Sequence, residues 1–200
     1  MKEIKDIDVK NSVAYKWLSK KPQRGRKKIF EATYISKVEY GEFSVSKLKN
    51  ACHKIAQTSF LTEYKKSKNS SLSFDKNDQD YYNFLRYYKD GKEKRSEQEV
   101  QRRLKAFIRL YDDIGNSGWA KKLNNGYSDY RSLSAVSVLN FHEDRLQEFG
   151  LGLELKSKVR SGTAPPFRII DGHHRLACAI VHDLKVVPTV IYTLKLKKLN

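Results

Sequence analysis

Apolar and polar positions alternate along Thr33-Tyr34-Ile35-Ser36-Lys37-Val38-Glu39-Tyr40, the period of a strand with one buried face, and the turn residue Gly41 is expected to end it. From Val45 the period changes. Val45, Leu48, Ala51, Cys52, Ile55 and Ala56 recur at helical spacing and predict a helix running to about Leu61. Between Glu63 and Asp80 the chain turns to Ser, Asn, Lys and Asp, the composition of a loop. Tyr81, Tyr82, Phe84, Leu85 and Tyr88 then predict an aromatic helix closed by Asp90-Gly91. Ser96 followed by Glu99 is a capping-box pattern, and the stripe Val100, Leu104, Phe107, Ile108, Tyr111 and Ile114 carries a helix of about five turns to a stop at Gly115-Asn116-Ser117-Gly118.

The second half reads differently. Leu133, Ala135, Val136, Val138, Leu139 and Phe141 predict a buried strand, and Gly150-Leu151-Gly152 to Leu155 a turn into another. Phe167, Ile169 and Ile170 make a short strand; Leu176, Ala177, Ala179, Ile180, Val181 and Leu184 mark a helix over 173–182 packed on several sides; Val186-Val187-Pro188-Thr189-Val190-Ile191 opens a last strand to about residue 193. That order of strands and helices predicts an α+β fold. The domain is expected to start near Ile29, after a basic extension over residues 1–28 in which Val13, Ala14, Trp17 and Leu18 fall at helical spacing.

Composition narrows the function classes. Of 200 residues 39% are hydrophobic, with 12 Tyr and 9 Phe, enough to build a core despite 32% charged residues. No apolar run approaches the roughly eighteen residues of a membrane helix, and Met1 to Lys10 lacks an apolar leader core, so a soluble, cytoplasmic chain is expected. Cys178 lies among apolar neighbours and reads as a buried thiol. Forty Lys and Arg against 23 Asp and Glu give +17, a balance that favours polyanions, although it is also what a lysine-rich composition gives a protein with no such partner. The densest cluster, Lys20-Lys21-Pro22-Gln23-Arg24-Gly25-Arg26-Lys27-Lys28, has no aromatic residues to stack on bases and reads as a basic arm or linker.

The chemistry concentrates at Asp171-Gly172-His173-His174-Arg175, between the short strand and its helix. Gly172 allows a turn that a Cβ would obstruct, and the first amides of a helix, unused within it, favour an anion together with the dipole. Two histidines and an arginine at that end oppose the dipole unless a negative group joins them. Asp171 has two readings, an N-cap for the helix and a group that meets substrate or magnesium. Successive helical residues diverge by about 100°, so one of His173 and His174 is expected to face the core.

The string Asp171-Gly172-His173-His174-Arg175-Leu176-Ala177-Cys178-Ala179, followed by the strand from Val186, resembles the signature of the ParB/sulfiredoxin superfamily. The resemblance covers roughly Ile29 to Leu194, closely only over its last thirty or so residues. It implies a small mixed sheet flanked by helices, with a helical insert around 50–96. Such a turn holds nucleotide phosphates in ATP-using sulfiredoxins, CTP-using partition proteins and free-serine kinases, and the form here is closest to the kinase branch. The implied function is a kinase that transfers a phosphoryl group to a hydroxyl on a small molecule or glycan precursor. ATP or ADP, or another nucleotide, and Mg2+ would be bound by Gly172, His173, His174 and Arg175. In that branch a glutamate just after the first strand serves the acceptor, which points by order to Glu39 or Glu42, with Glu31 slightly earlier and Asp112 and Asp113 weaker; Asp171 and His173 complete the catalytic candidates.

His173 stands where a sulfiredoxin resembles Gly-Cys-His-Arg, so sulfinyl repair lacks its nucleophile. His174, Cys178 and His182 fall at i, i+4 and i+8, but no second ligand pair with metal spacing exists, and no transition-metal site is expected. The competing readings are a ParB-like DNA-binding protein or nuclease, gripping a backbone phosphate with the same turn, and a nucleotide-binding regulator without turnover.

Overall fold

The alternating stretch that begins at Thr33 forms strand β2, Thr33–Ser44, in the computed structural model, which describes residues 2–3, 14–15, 33–49, 55–70, 73–77, 79–88, 90–117, 135–141 and 167–196. The strand does not stop at Gly41. Its partner β5, Val186–Leu196, is long enough to pair with it antiparallel from Thr33 opposite Leu196 to Ser44 opposite Val186, so Gly41 sits inside the ladder opposite Thr189. On its other edge β2 receives β1, Lys2–Glu3, a pairing that nothing in the charged amino-terminal sequence announces. Strand β3, Val136–Phe141, runs parallel to β5, and β4, Phe167–Asp171, runs antiparallel to β3. The resulting mixed sheet has the order β1-β2-β5-β3-β4.

Among the described residues these helices accompany it: α1 (Val45–Lys49), α2 (Ile55–Asn69), α3 (Asp80–Arg86), α4 (Glu97–Ser117) and α5 (His173–Val181). The chain leaves β4, turns at Gly172, crosses the sheet as α5 and returns through β5, on the far side of β3. Leu176 and Ala179 of α5 pack with Val45, Leu48, Val136, Val138, Ile169, Val187 and Ile191 on the sheet face. Ala177 and Cys178 point the opposite way, into a second core with Phe60, Leu61, Tyr81, Leu85, Val100, Leu104, Phe107 and Tyr111. A helix buried on two sides needs apolar residues around most of its circumference, which is why its sequence shows no simple stripe. The architecture is α+β, with α5 sandwiched between the sheet and the helical layer of α2, α3 and α4.

The helical layer departs from the sequence pattern in instructive ways. The stripe from Val45 resolves into α1 and α2, with Ala51 and Cys52 outside the described residues. The polar stretch after Glu63 stays helical to Asn69, because tertiary contacts replace the missing apolar face: Tyr64 meets Phe74 and Tyr111 edge-on, its hydroxyl donates to Asp112 at 3.0 Å, and Lys68 pairs with Asp112 at 2.9 Å. Helix α3 ends at Arg86 instead of Asp90, since Tyr87 adopts an extended conformation and bridges to Glu93 around a turn containing Gly91 at φ +80°.

Ser96 caps α4 as its spacing predicted, its Oγ accepting the Glu99 amide at 3.3 Å. The helix continues past Gly115 to Ser117. Gly115 is there to make room, because a Cβ would stand 2.6 Å from Cε1 of His182.

The strand expected from Leu133 is described from Val136, and the turn at 150–155 and the basic arm at 20–28 lie outside the described residues. Of the amino-terminal stripe only Ala14 is described, helical together with its neighbour Tyr15. No helix among the described residues is long and apolar enough to cross a membrane.

Candidate functional site

The turn between β4 and α5 is fixed by Gly172. It is buried with φ +84°, in the left-handed region, and a Cβ there would lie 3.0 Å from the Val136 Cα and 3.4 Å from the Ala135 carbonyl oxygen. Only glycine meets both demands. Gly172 is also the N-cap residue of α5, with no side-chain cap; its carbonyl accepts the Leu176 amide at 2.9 Å. The capping reading of Asp171 is therefore corrected. As the last residue of β4, paired with Ser137, Asp171 precedes the cap and turns its Oδ2 to Nη2 of Arg175, 3.3 Å away. The helix tip keeps the property that favours anions, a first turn of amides that the helix itself does not use.

That tip opens into a cavity of about 480 Å³. Asp171, Gly172, His173, His174 and Arg175 form one side of it. Both histidines line the cavity, so neither is lost to the core. The opposite side comes from the helical layer: Tyr81 from α3 and Arg103, Ala106, Phe107 and Leu110 from α4.

The two sides touch at His174. The Tyr81 hydroxyl lies 2.5 Å from its Nε2, and Phe107 meets the imidazole edge-on at 4.7 Å between ring centres. Burial pushes the Tyr81 hydroxyl pKa up. The Arg175 side chain is only 14% exposed, so its guanidinium meets the cavity largely desolvated, where attraction to an anion is stronger than in water. Arg103 is held from below by Glu99, Nε to Oε1 2.7 Å, and this arginine keeps the Glu99 carboxyl below its usual range.

Glu39 and Glu42 do not join this constellation. Both lie on β2, Glu39 in an ion pair with Lys37 at 3.0 Å and Glu42 exposed opposite Pro188, and neither lines the cavity. Strands β5 and β3 intervene between β2 and β4, which at about 4.8 Å per strand puts roughly 14 Å between the glutamates' strand and the cradle. Glu31 lies outside the described residues. Asp112 is engaged by Tyr64 and Lys68 at the far end of α4.

The i, i+4, i+8 set on α5 also diverges. His174 turns to Tyr81, Cys178 is buried in the helical core with its thiol pushed up to about 12 by burial, and His182 stacks on Tyr111 at 4.0 Å while its Nε2 donates to the Tyr111 carbonyl at 2.9 Å. Among the described residues no three His, Cys, Asp or Glu side chains converge as metal ligands.

Tyr81 and Phe107 read in the sequence as core aromatics, and Arg103 did not stand out at all. One local signal was present: Glu99, Arg103 and Phe107 follow each other at i+4 along one edge of the apolar stripe of α4, where an ion pair would restrain an arginine beside the core. The cavity's volume falls in the range of small-ligand pockets, and its donor set of amides, imidazoles and guanidinium groups suits phosphate oxygens. Comparison with family models, with characterised proteins and with solved structures returns no match for this chain.

Proposed function

We propose that this protein binds a nucleoside di- or triphosphate with magnesium at the tip of α5 and transfers a phosphoryl group to a hydroxyl on a small molecule or glycan precursor. The observation that carries this reading is the cavity itself, in which a glycine-turned helix tip and the Arg175 guanidinium face Arg103 across a space of mononucleotide size. Arg175 and Arg103 hold phosphate oxygens from two sides, and His174, oriented by Tyr81 and Phe107, adds an imidazole N–H.

Magnesium, when bound, neutralises charge on the transferring group, and Asp171 is the carboxylate that would hold it, retaining waters in its other positions. With Glu39 and Glu42 away from the cavity, His173 is the group that takes the acceptor's proton. The acceptor oxygen bonds to the terminal phosphorus, the bond from that phosphorus to the bridging oxygen breaks, and the shortened nucleotide leaves with the electron pair.

Calorimetric titration with ATP, ADP, CTP and GTP in magnesium, followed by transfer assays on serine and sugar acceptors, tests both parts. Expected is nucleotide binding weakened at least tenfold by Arg175→Ala; absence of binding and of turnover in every combination overturns the proposal.

A second reading rests on a different observation. Arg102, Arg103, Lys105 and Arg109 are all exposed on α4, with Arg103 lining the cavity, in a chain of net charge +17, so the same cradle could seat a backbone phosphate of DNA. Such binding loses affinity steeply between about 50 and 200 mM salt, which a single-nucleotide pocket does not.

A further inference from the structure

Five large apolar side chains are exposed among the described residues, and three of them, Phe84, Tyr87 and Tyr88, fall within one five-residue stretch at the end of α3. Single exposed aromatics need no explanation, but a cluster that follows directly on a cavity-lining residue, Tyr81, does. Its position follows from the packing of α3. Tyr81 and Leu85 face the helical core, which leaves Phe84 on the outward side with 47% of its surface exposed and Tyr88, in the following turn, with 56%. Phe84 stacks nearly parallel on Tyr81, ring centres 6.1 Å apart at 14°. Tyr81 in turn lies 6.0 Å from the His174 ring. An aromatic path thus leads outward from the phosphate cradle in two steps of about 6 Å, a span that a ribose and its first phosphates bridge. The Lys94 ammonium lies over Phe84 at 5.0 Å and over Tyr88 at 5.9 Å, which puts a cation on the same aromatic faces.

We propose that Phe84 and Tyr88 form a stacking platform for the base of the nucleotide whose phosphates occupy the α5 cradle. The inference rests on the nucleotide reading above and adds to it the place and the chemistry of base recognition. A base has an apolar π-face and no net charge, so the complement it needs is an exposed aromatic ring, and Phe84 stacks on Tyr81, which lines a cavity whose other groups suit phosphate. On binding, the base replaces the Lys94 contact on the rings. The half-buried lysine, on a long four-carbon stem, swings toward the ligand's negative charge. Stacking of this kind reads any base, so the platform raises affinity for nucleotides over inorganic phosphates with little preference among bases.

The test compares magnesium ADP with magnesium pyrophosphate by calorimetry on the intact chain and on Phe84→Ala, Phe84→Trp and Tyr88→Ala. Expected is at least tenfold tighter binding of ADP than of pyrophosphate. Phe84→Ala should remove most of that advantage, leave pyrophosphate binding unchanged within twofold, and be rescued by Phe84→Trp; the unchanged pyrophosphate arm also shows that the variant is folded. Equal affinity for the two ligands, or equal weakening of both by Phe84→Ala, overturns the platform and leaves the phosphate cradle standing. Failure of both ligands to bind overturns the nucleotide reading together with it. Preference for oligo(dT) over every mononucleotide, lost in Phe84→Ala, overturns the proposal in favour of single-stranded nucleic acid.

Discussion

The Tyr81 hydroxyl and Nε2 of His174 lie 2.5 Å apart and join residues 93 positions distant in the chain. The tyrosine is 1% exposed, held between Phe60 and Phe107, while the histidine stands at the open tip of α5. Burial raises the pKa of this hydroxyl, so it keeps its proton, and its hydrogen bond with Nε2 holds the imidazole in one orientation. The helical layer thereby selects the orientation of a side chain that belongs to the sheet-bound turn.

Tyr81→Phe removes that hydrogen bond and leaves the packing intact. Stability should fall by about 1 kcal/mol or less, while phosphate or nucleotide affinity drops several-fold as the His174 ring loses its fixed orientation. Urea denaturation and calorimetry separate the two effects, and an NMR titration of the His174 ring should show an altered midpoint.

Gly172→Ala combines a strained φ with a 3.0 Å approach to the Val136 Cα. A loss of about 1–3 kcal/mol in chemical denaturation is expected, along with loss of ligand binding, because relief of the strain moves the helix tip.

Gly115→Ala should destabilise despite better helix propensity, since the new Cβ falls 2.6 Å from Cε1 of His182 and breaks its stack on Tyr111. In a His182→Ala background the same substitution should stabilise by about 1 kcal/mol, the ordinary helical preference for alanine. Thermal melts of the four proteins in this cycle give the sign directly.

Gln57 is 1% exposed beside the Tyr81 hydroxyl, at a geometry short of a hydrogen bond, and among the described residues neither its Oε1 nor its Nε2 has a hydrogen-bond partner. Gln57→Leu should therefore stabilise the fold by about 1–2 kcal/mol, visible as a raised denaturation midpoint at unchanged slope.

The Cys178 thiol is raised by burial from 9.0 to about 12. Between those values the folded protein retains a proton that the unfolded chain releases, so stability present below pH 9 declines as pH rises, by at most about 1.4 kcal/mol per pH unit from this group. Tyr64, Tyr81 and Tyr111, also raised by burial, act with the same sign. Comparing the native chain with Cys178→Ala across pH 8 to 11 isolates the thiol: the stability gap between them should narrow as pH rises.

Much of this molecule was legible without coordinates. The start of α4 was readable because Ser96 and Glu99 interact across three residues, and Gly172 because the turn from β4 to α5 is a matter of backbone sterics at one position. The all-round apolar pattern from Leu176 to Leu184 likewise announced a helix buried on two sides. The extension of β2 past Gly41 was not readable, because it depends on a partner strand some 150 residues later.

The site divides in the same way. Its anion-favouring half is one continuous pentapeptide, Asp171 to Arg175, whose conformation and charge are local properties, and the chain's sequence determined that half by itself. Tertiary structure alone decided that Glu39 and Glu42 stay beyond two intervening strands, that Asp171 faces Arg175 instead of capping, and that Tyr81, Arg103 and Phe107 close the cavity. Periodicity tells which side of a helix is buried but not against which partner; that choice is made by the packing of whole elements, and it carries the geometry of the cavity with it.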